Sequence, residues 1–163
     1  MPHTPTKDTI NRRALLLTAM AGATALVAAP LLTNPVMAKK PSTYTSGGAA
    51  VGGYDPVAYF KQGKAVKGSS KHATKYKGAT YRFASAENLK AFKASPARYA
   101  PQFGGYCAWA VSQGYTAHGD PRAWSVVGGK LYLNYNSSVR SKWKRNASSN
   151  IKKGRANWPK VLN

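Results

Sequence analysis

The sequence predicts an α+β fold: one small domain of short antiparallel β-hairpins with helices packed on them. Three observations carry this. Thr74–Phe83 alternates polar and aromatic residues on both sides of Gly78, and Trp124–Asn134 sets two arms around Gly128-Gly129. Between and after these hairpins, apolar residues fall three or four apart in segments that open on Ser or Asp and stop at Pro or Gly. The length, 163 residues, allows one domain and argues against two full-sized ones. No repeat with a period of 20–50 residues and no low-complexity block is visible.

In chain order, residues 1–38 are expected to be an export signal. A polar segment ends in Arg12-Arg13, an uncharged run follows from Ala14 to Ala29, and Val36-Met37-Ala38 offers a small-residue cleavage site. Arg12-Arg13-Ala14-Leu15-Leu16 resembles a twin-arginine signal, with Asn11 before the pair and Leu17 where Lys is often found. An ordinary secretory signal is the alternative. A retained anchor is disfavoured, because the run of 16 residues falls below the roughly 20 that a spanning helix needs. Cleavage after about Ala38 would put the mature chain in the periplasm.

Residues 39–48 are expected to form a flexible lead-in, and 49–163 the folded domain. Asp55-Pro56 reads as a helix start, followed by one turn, Val57–Phe60, that stops near Gly63. Lys64–Lys67 reads as a strand and Ser69–His72 as a polar loop. After the first hairpin, Ser85 caps a helix over Ala86–Ala94 with Leu89 and Phe92 inward, and Pro96 ends it. Ala97–Tyr99 adds a turn of helix, and Pro101–Gly105 breaks it. Tyr106–Gln113 reads as helix closed by Gly114. Asp120-Pro121 repeats the earlier start signal. Beyond the second hairpin, Ser137 or Ser138 opens a helix through Arg145, and Ile151–Trp158 is a weaker helix ended by Pro159.

Charge narrows the chemistry. The chain has 25 Lys+Arg and 4 Asp+Glu, a formal charge of +21. Removing residues 1–38 takes away Lys7, Arg12, Arg13 and Asp8, leaving 22 basic and 3 acidic residues, or +19. Asp55, Glu87 and Asp120 are then the only carboxylates, which disfavours paired-carboxylate hydrolysis and an acidic Ca²⁺ or Mg²⁺ cage. One cysteine excludes an internal disulfide and any multi-cysteine zinc or iron–sulfur site.

Tyr54-Asp55-Pro56-Val57, then Tyr76-Lys77-Gly78-Ala79-Thr80-Tyr81-Arg82-Phe83-Ala84-Ser85, then Phe92, Pro96 and Tyr99 resemble the YHS domain over about residues 50–100. Phe103-Gly104-Gly105-Tyr106-Cys107-Ala108 and Gly129–Asn134 look like the C-terminal extension of exported, single-domain members. The resemblance implies a soft-metal association, because such domains often carry cysteines and accompany copper-transporting ATPases and some hydroxylases. This chain departs from that pattern at Ala58 and at Phe83-Ala84-Ser85, where family members often have cysteine.

Any metal site must therefore use Cys107. His118, 11 residues on, supplies the imidazole that would suit copper or zinc, and His72 becomes a third ligand if the fold brings it near. A cationic protein opposes a cation, and Cys107 also reads as a small buried residue on its helix. Cys107, His118 and Asp120 together leave thiol chemistry open. Gly104-Gly105 reads either as an anion-binding turn or as a tight turn in close packing.

The positive charge is concentrated. Lys61, Lys64, Lys67, Lys71, Lys75 and Lys77 crowd one segment. Lys142, Lys144, Arg145, Lys152, Lys153 and Arg155 crowd the C-terminus beside Trp143 and Trp158. For an exported protein this points to anionic lipid or lipopolysaccharide surfaces, and nucleic acid is not expected. Three functions follow. The first is a non-enzymatic module for a soft metal or small ligand. The second is a basic protein held electrostatically on the envelope, and the third a thiol-dependent enzyme.

Overall fold

Two hairpins organise the chain, each followed by a capped helix. The computed structural model describes residues 38–163; Arg12, Arg13 and the rest of the expected export signal before Ala38 lie outside the described residues. Strands β1 (Thr45–Ser46) and β2 (Ala49–Ala50) pair first, and the short helix α1 (Ala58–Lys61) follows. Strands β3 (Ser69–Tyr76) and β4 (Ala79–Phe83) form the first large hairpin, followed by α2 (Ala86–Ala94) and α3 (Pro96–Tyr99). After a 3₁₀ turn, Gln102–Gly105, come α4 (Ala108–Ser112) and the second hairpin, β5 (Asp120–Val127) with β6 (Lys130–Asn134). Helices α5 (Ser137–Arg145) and α6 (Ala147–Asn157) end the domain, with a last 3₁₀ turn at Lys160–Leu162. This is the α+β architecture the sequence predicts.

Both hairpin turns have two residues at positive φ: Lys77 (47°) with Gly78 (77°), and Gly128 (56°) with Gly129 (67°). Such turns match the right-handed strand twist. Ser85 caps α2 by accepting from the Asn88 backbone N–H at 3.2 Å. Helix α5 is capped by Asn136, which accepts from Val139 N–H at 2.9 Å, rather than by Ser137 or Ser138.

The second half repeats the first. Strand β3 pairs with β4 as Ser69↔Phe83, Ala73↔Arg82, Thr74↔Tyr81 and Tyr76↔Ala79. Strand β5 pairs with β6 as Asp120↔Asn134, Trp124↔Leu133, Ser125↔Tyr132 and Val127↔Lys130. Each of these residues lies 51 positions from its counterpart, and both ladders are irregular at the same place, between the first two pairs. The caps Ser85 and Asn136 and the nine-residue helices α2 and α5 keep that spacing. Upstream the offset is 52. Val51, Gly52 and Gly53 have φ of 53°, 56° and 77°, while Phe103, Gly104 and Gly105 have 54°, 60° and 82°. The stretch from Phe103 is thus a second copy of the motif and not only an extension. The period just exceeds 50 residues, and few residues besides the Gly-Gly-Tyr and Gln-Gly pairs are shared.

Each repeat buries its own aromatic cluster. Tyr81 lies against Phe92 with ring centroids 4.9 Å apart, and the equivalent Tyr132 and Trp143 lie 5.1 Å apart. Strand β6 joins the two clusters. Its side chains alternate in direction, so Leu131 and Leu133 enter the first core and Tyr132 the second. Burying each large apolar side chain contributes about 1.5–3 kcal/mol.

Four local expectations change. The lead-in is held rather than flexible: Lys40 N–H donates to Leu162 O at 2.8 Å, Tyr44 N–H to Gly104 O at 2.9 Å, and Thr43 is buried. Polar spacing hid these contacts because they are made by backbone. Ser69–His72 begins strand β3 instead of forming a loop, since a ladder irregularity there accommodates its polar residues. Lys64–Lys67 makes only an isolated bridge, Tyr54↔Lys67. Asp120 starts a strand and caps the backbone N–H of Arg122 at 2.8 Å, not a helix.

Candidate functional site: two equivalent cradles and a basic face

Asp55 opens the first repeat and is fully buried. One carboxylate oxygen accepts from Val57 N–H (2.8 Å) and Ala58 N–H (3.3 Å). The other accepts from Ala84 N–H (2.8 Å) and the Asn88 side-chain amide (2.7 Å). Asp55 pairs with backbone N–H groups as expected, although the helix starts later, at Ala58 with Val57 in the cap position, and this one side chain ties the start of α1 to the end of β4 and to α2. A buried carboxylate is tolerable only with such a set of donors.

Cys107 stands at the equivalent place in the second repeat, 52 residues on. Its sulfur accepts from Tyr135 N–H at 3.2 Å, and Tyr135 is the counterpart of Ala84. The backbone N–H of Ala110, counterpart of Ala58, also faces it, while that of Trp109, counterpart of Val57, donates to Asn134 Oδ1 at 3.2 Å. Burial nevertheless outweighs these donors and pushes the thiol pKa up. At 1% exposure the sulfur is neither a ready nucleophile nor an open metal ligand. Cys107 begins the turn before α4, as its leading residue, instead of lying within a longer helix.

The residues expected to join Cys107 do not. His118 is exposed, and its ring lies 4.2 Å from Tyr135 and 6.4 Å from Tyr44. The cavity of about 310 Å³ beside the sulfur is lined by Trp109, Ala110, Tyr115, Ala117, Tyr135 and Val139, without an imidazole. His72 sits on β3, in the first repeat. Among the described residues, no three His, Cys, Asp or Glu side chains come together as metal ligands. Copper or zinc therefore does not fit the set Cys107, His118 and His72: the sulfur is closed in, and the nitrogen donors face elsewhere.

A family model supplies the frame for these positions. Residues 57–103 match the YHS domain. The chain carries a YHS domain. The matched segment begins two residues after Asp55 and ends at Phe103, where the second structural repeat starts. No curated protein and no solved structure matches the chain.

Outside the cores, the described residues are dominated by positive charge. All three described carboxylates are engaged. Asp55 holds backbone and amide N–H groups, and Asp120 makes a 3.5 Å ion pair with Arg122, the one salt bridge among the described residues. Glu87 lies at the start of α2, where its own backbone N–H and the Ser85 hydroxyl hold its carboxyl below the usual range.

The lysines and arginines expected to bind anions are on the surface. Lys71 and Lys75 on β3, and Lys77 in its turn, are exposed. So are Lys142, Lys144 and Arg145 on α5, and Lys152 and Lys153 on α6. Lys142, Arg145 and Lys153 converge on a groove of about 520 Å³ between the two helices, floored by Trp109. The Lys142 ammonium stands 4.5 Å over the Trp109 ring, a cation–π contact that holds it near the groove. Gly104-Gly105 takes the tight-turn reading: a Cβ on Gly104 would collide with the Ser42 carbonyl.

Proposed function

We propose that this YHS protein is an exported, non-enzymatic binding module that attaches to phosphate-bearing surfaces of the cell envelope. The face formed by α5 and α6 makes the contact. The observation that carries the reading is the state of the charges. Among the described residues 22 basic side chains face three carboxylates, and only Asp120 is spent on an ion pair. Five of the cations, Lys142, Lys144, Arg145, Lys152 and Lys153, lie on two consecutive helices. Each contributes about 1 kcal/mol near an anionic surface. Five together exceed the roughly 4 kcal/mol of a millimolar affinity, enough to hold a protein on a membrane or on lipopolysaccharide. A soft-metal role has less support, because Cys107 is closed in and lacks converging partners. A thiol enzyme meets the same obstacle.

The test is sedimentation with vesicles containing phosphatidylglycerol or only phosphatidylcholine. Binding to the anionic vesicles is expected, falling about tenfold or more between low and about 0.5 M salt. Replacing the five cations by Gln should abolish it. Equal binding to neutral vesicles, salt-independent binding, or full binding by the variant would refute the proposal.

A further inference from the structure

A second cationic site lies away from α5–α6 surface lysines, at the seam between the two repeats. A cleft of about 420 Å³ opens there, within the range of small-molecule sites. Its walls set aromatic surface, with Tyr76 from the first repeat and Phe103 and Trp158 from the second half of the chain, beside the polar Ser42, Thr43 and Gln102. Three cations line it: Lys77, Lys130 and Arg155. No carboxylate lines it, so nothing in the wall neutralises them.

The repeat provides an internal control on whether the scaffold alone requires these charges. At 51 residues' offset, Lys77 corresponds to Gly128 and Lys130 to Ala79. Arg155 lies on the part of α6 that extends beyond the length of α3. None of the three cations is thus repeated at its equivalent place. Lys77 also occupies a turn position at φ 47°, where its counterpart is glycine. A side chain there costs roughly 1 kcal/mol relative to glycine. The ordered lead-in of residues 39–48 forms a strap that also contributes: Ser42 and Thr43 line the same cleft, and the strap can approach because Gly104 has no Cβ.

We propose that this cleft binds a small organic anion with a flat apolar body, such as an aromatic carboxylate, sulfonate or phosphate. The ring lies between the aromatic walls while the acid group meets Lys77, Lys130 and Arg155. The site needs both halves of the chain, so the matched YHS segment alone would not form it. It uses none of the five cations proposed for surface attachment, Lys142, Lys144, Arg145, Lys152 and Lys153.

The experiment uses the protein of residues 39–163 and two fluorescent probes of similar shape, 8-anilinonaphthalene-1-sulfonate and the uncharged N-phenyl-1-naphthylamine. Titrations run at about 0.15 M salt, where distant charges are screened. The sulfonate should bind at one saturable site, at least about tenfold more tightly than the neutral probe. Lys130→Gln with Arg155→Gln should remove about tenfold or more of that affinity, while Lys144→Gln with Lys152→Gln should leave it unchanged. Circular dichroism and melting of each variant exclude misfolding as the cause. Trp158→Phe should reduce energy transfer from tryptophan to the bound sulfonate. Equal affinity for both probes, equal loss in both double variants, unsaturable binding, or unchanged transfer in Trp158→Phe would overturn the proposal. Vesicle binding by Lys130→Gln/Arg155→Gln should persist, which separates this result from the surface reading.

Discussion

Asp55 and Cys107 occupy one structural position with opposite electrostatic outcomes. In the first repeat the cradle holds a carboxylate that uses every donor offered, including the Asn88 amide. In the second, Val139 replaces Asn88, and a protonated thiol of lower polarity suffices. Removing the Asp55 carboxylate therefore strands buried donors at the junction of α1, β4 and α2. Leaving a buried donor unsatisfied costs about 1–3 kcal/mol, and here several are exposed at once. Asp55→Ala should destabilise by about 3–5 kcal/mol. Asp120→Ala, which breaks an exposed 3.5 Å pair, should cost under about 1 kcal/mol. Urea unfolding of both variants decides this, and similar losses would contradict the cradle account.

Helix α6 shows why an element cannot be judged by its own sequence. Gly154 in its interior is ordinarily a weakness, and alanine there gains about 1 kcal/mol of helix propensity. A Cβ would instead lie 2.6 Å from Phe103 Cζ and 2.9 Å from Cε2. Overpacking costs about 1–3 kcal/mol, so Gly154→Ala should lower stability overall, with urea unfolding as the measure. Adding Phe103→Leu should recover part of the loss. The same limit governs what could be read in advance. Both hairpins, the Ser85 cap and the helices after each hairpin were legible, because alternation, glycine turns and helical spacing are local. The strap was not, since Lys40 and Tyr44 are fixed by backbone pairing to residues far along the chain. Nor was the separation of Cys107 from His118, because His118 bridges to Tyr106 while Cys107 bridges to Leu133. The repeat did leave a trace: Gly52-Gly53-Tyr54 returns as Gly104-Gly105-Tyr106, and Gln62-Gly63 as Gln113-Gly114. Lys130 had no such marker, because nothing local shows that it lines a cleft with Lys77.

At the scale of the molecule, several buried acids share one direction of shift. Burial raises the Tyr59 hydroxyl, whose proton is donated to Pro121 O at 2.7 Å, and pushes Tyr81 up to about 12. Tyr106 and Cys107 are also raised by burial. In the unfolded chain thiols titrate near about 8.5 and phenols near about 10. Over the interval above these values the folded protein retains protons that the unfolded chain loses. Their stabilisation is thus complete below the unfolded pKa values and fades as pH rises towards about 12 for Tyr81. Melting temperature should fall from about pH 8.5 upward, and Tyr59→Phe should flatten the decline. A flat profile in the parent protein would refute the linkage. The pairing of Lys40 N–H with Leu162 O has a separate consequence. Residue 40 and the C-terminal residues lie side by side at one pole, so a reporter joined just before residue 40 or after residue 163 would hang on the same side. A permuted gene could stitch residue 163 to residue 40 and reopen at the exposed Gly63 bend without cutting either large hairpin.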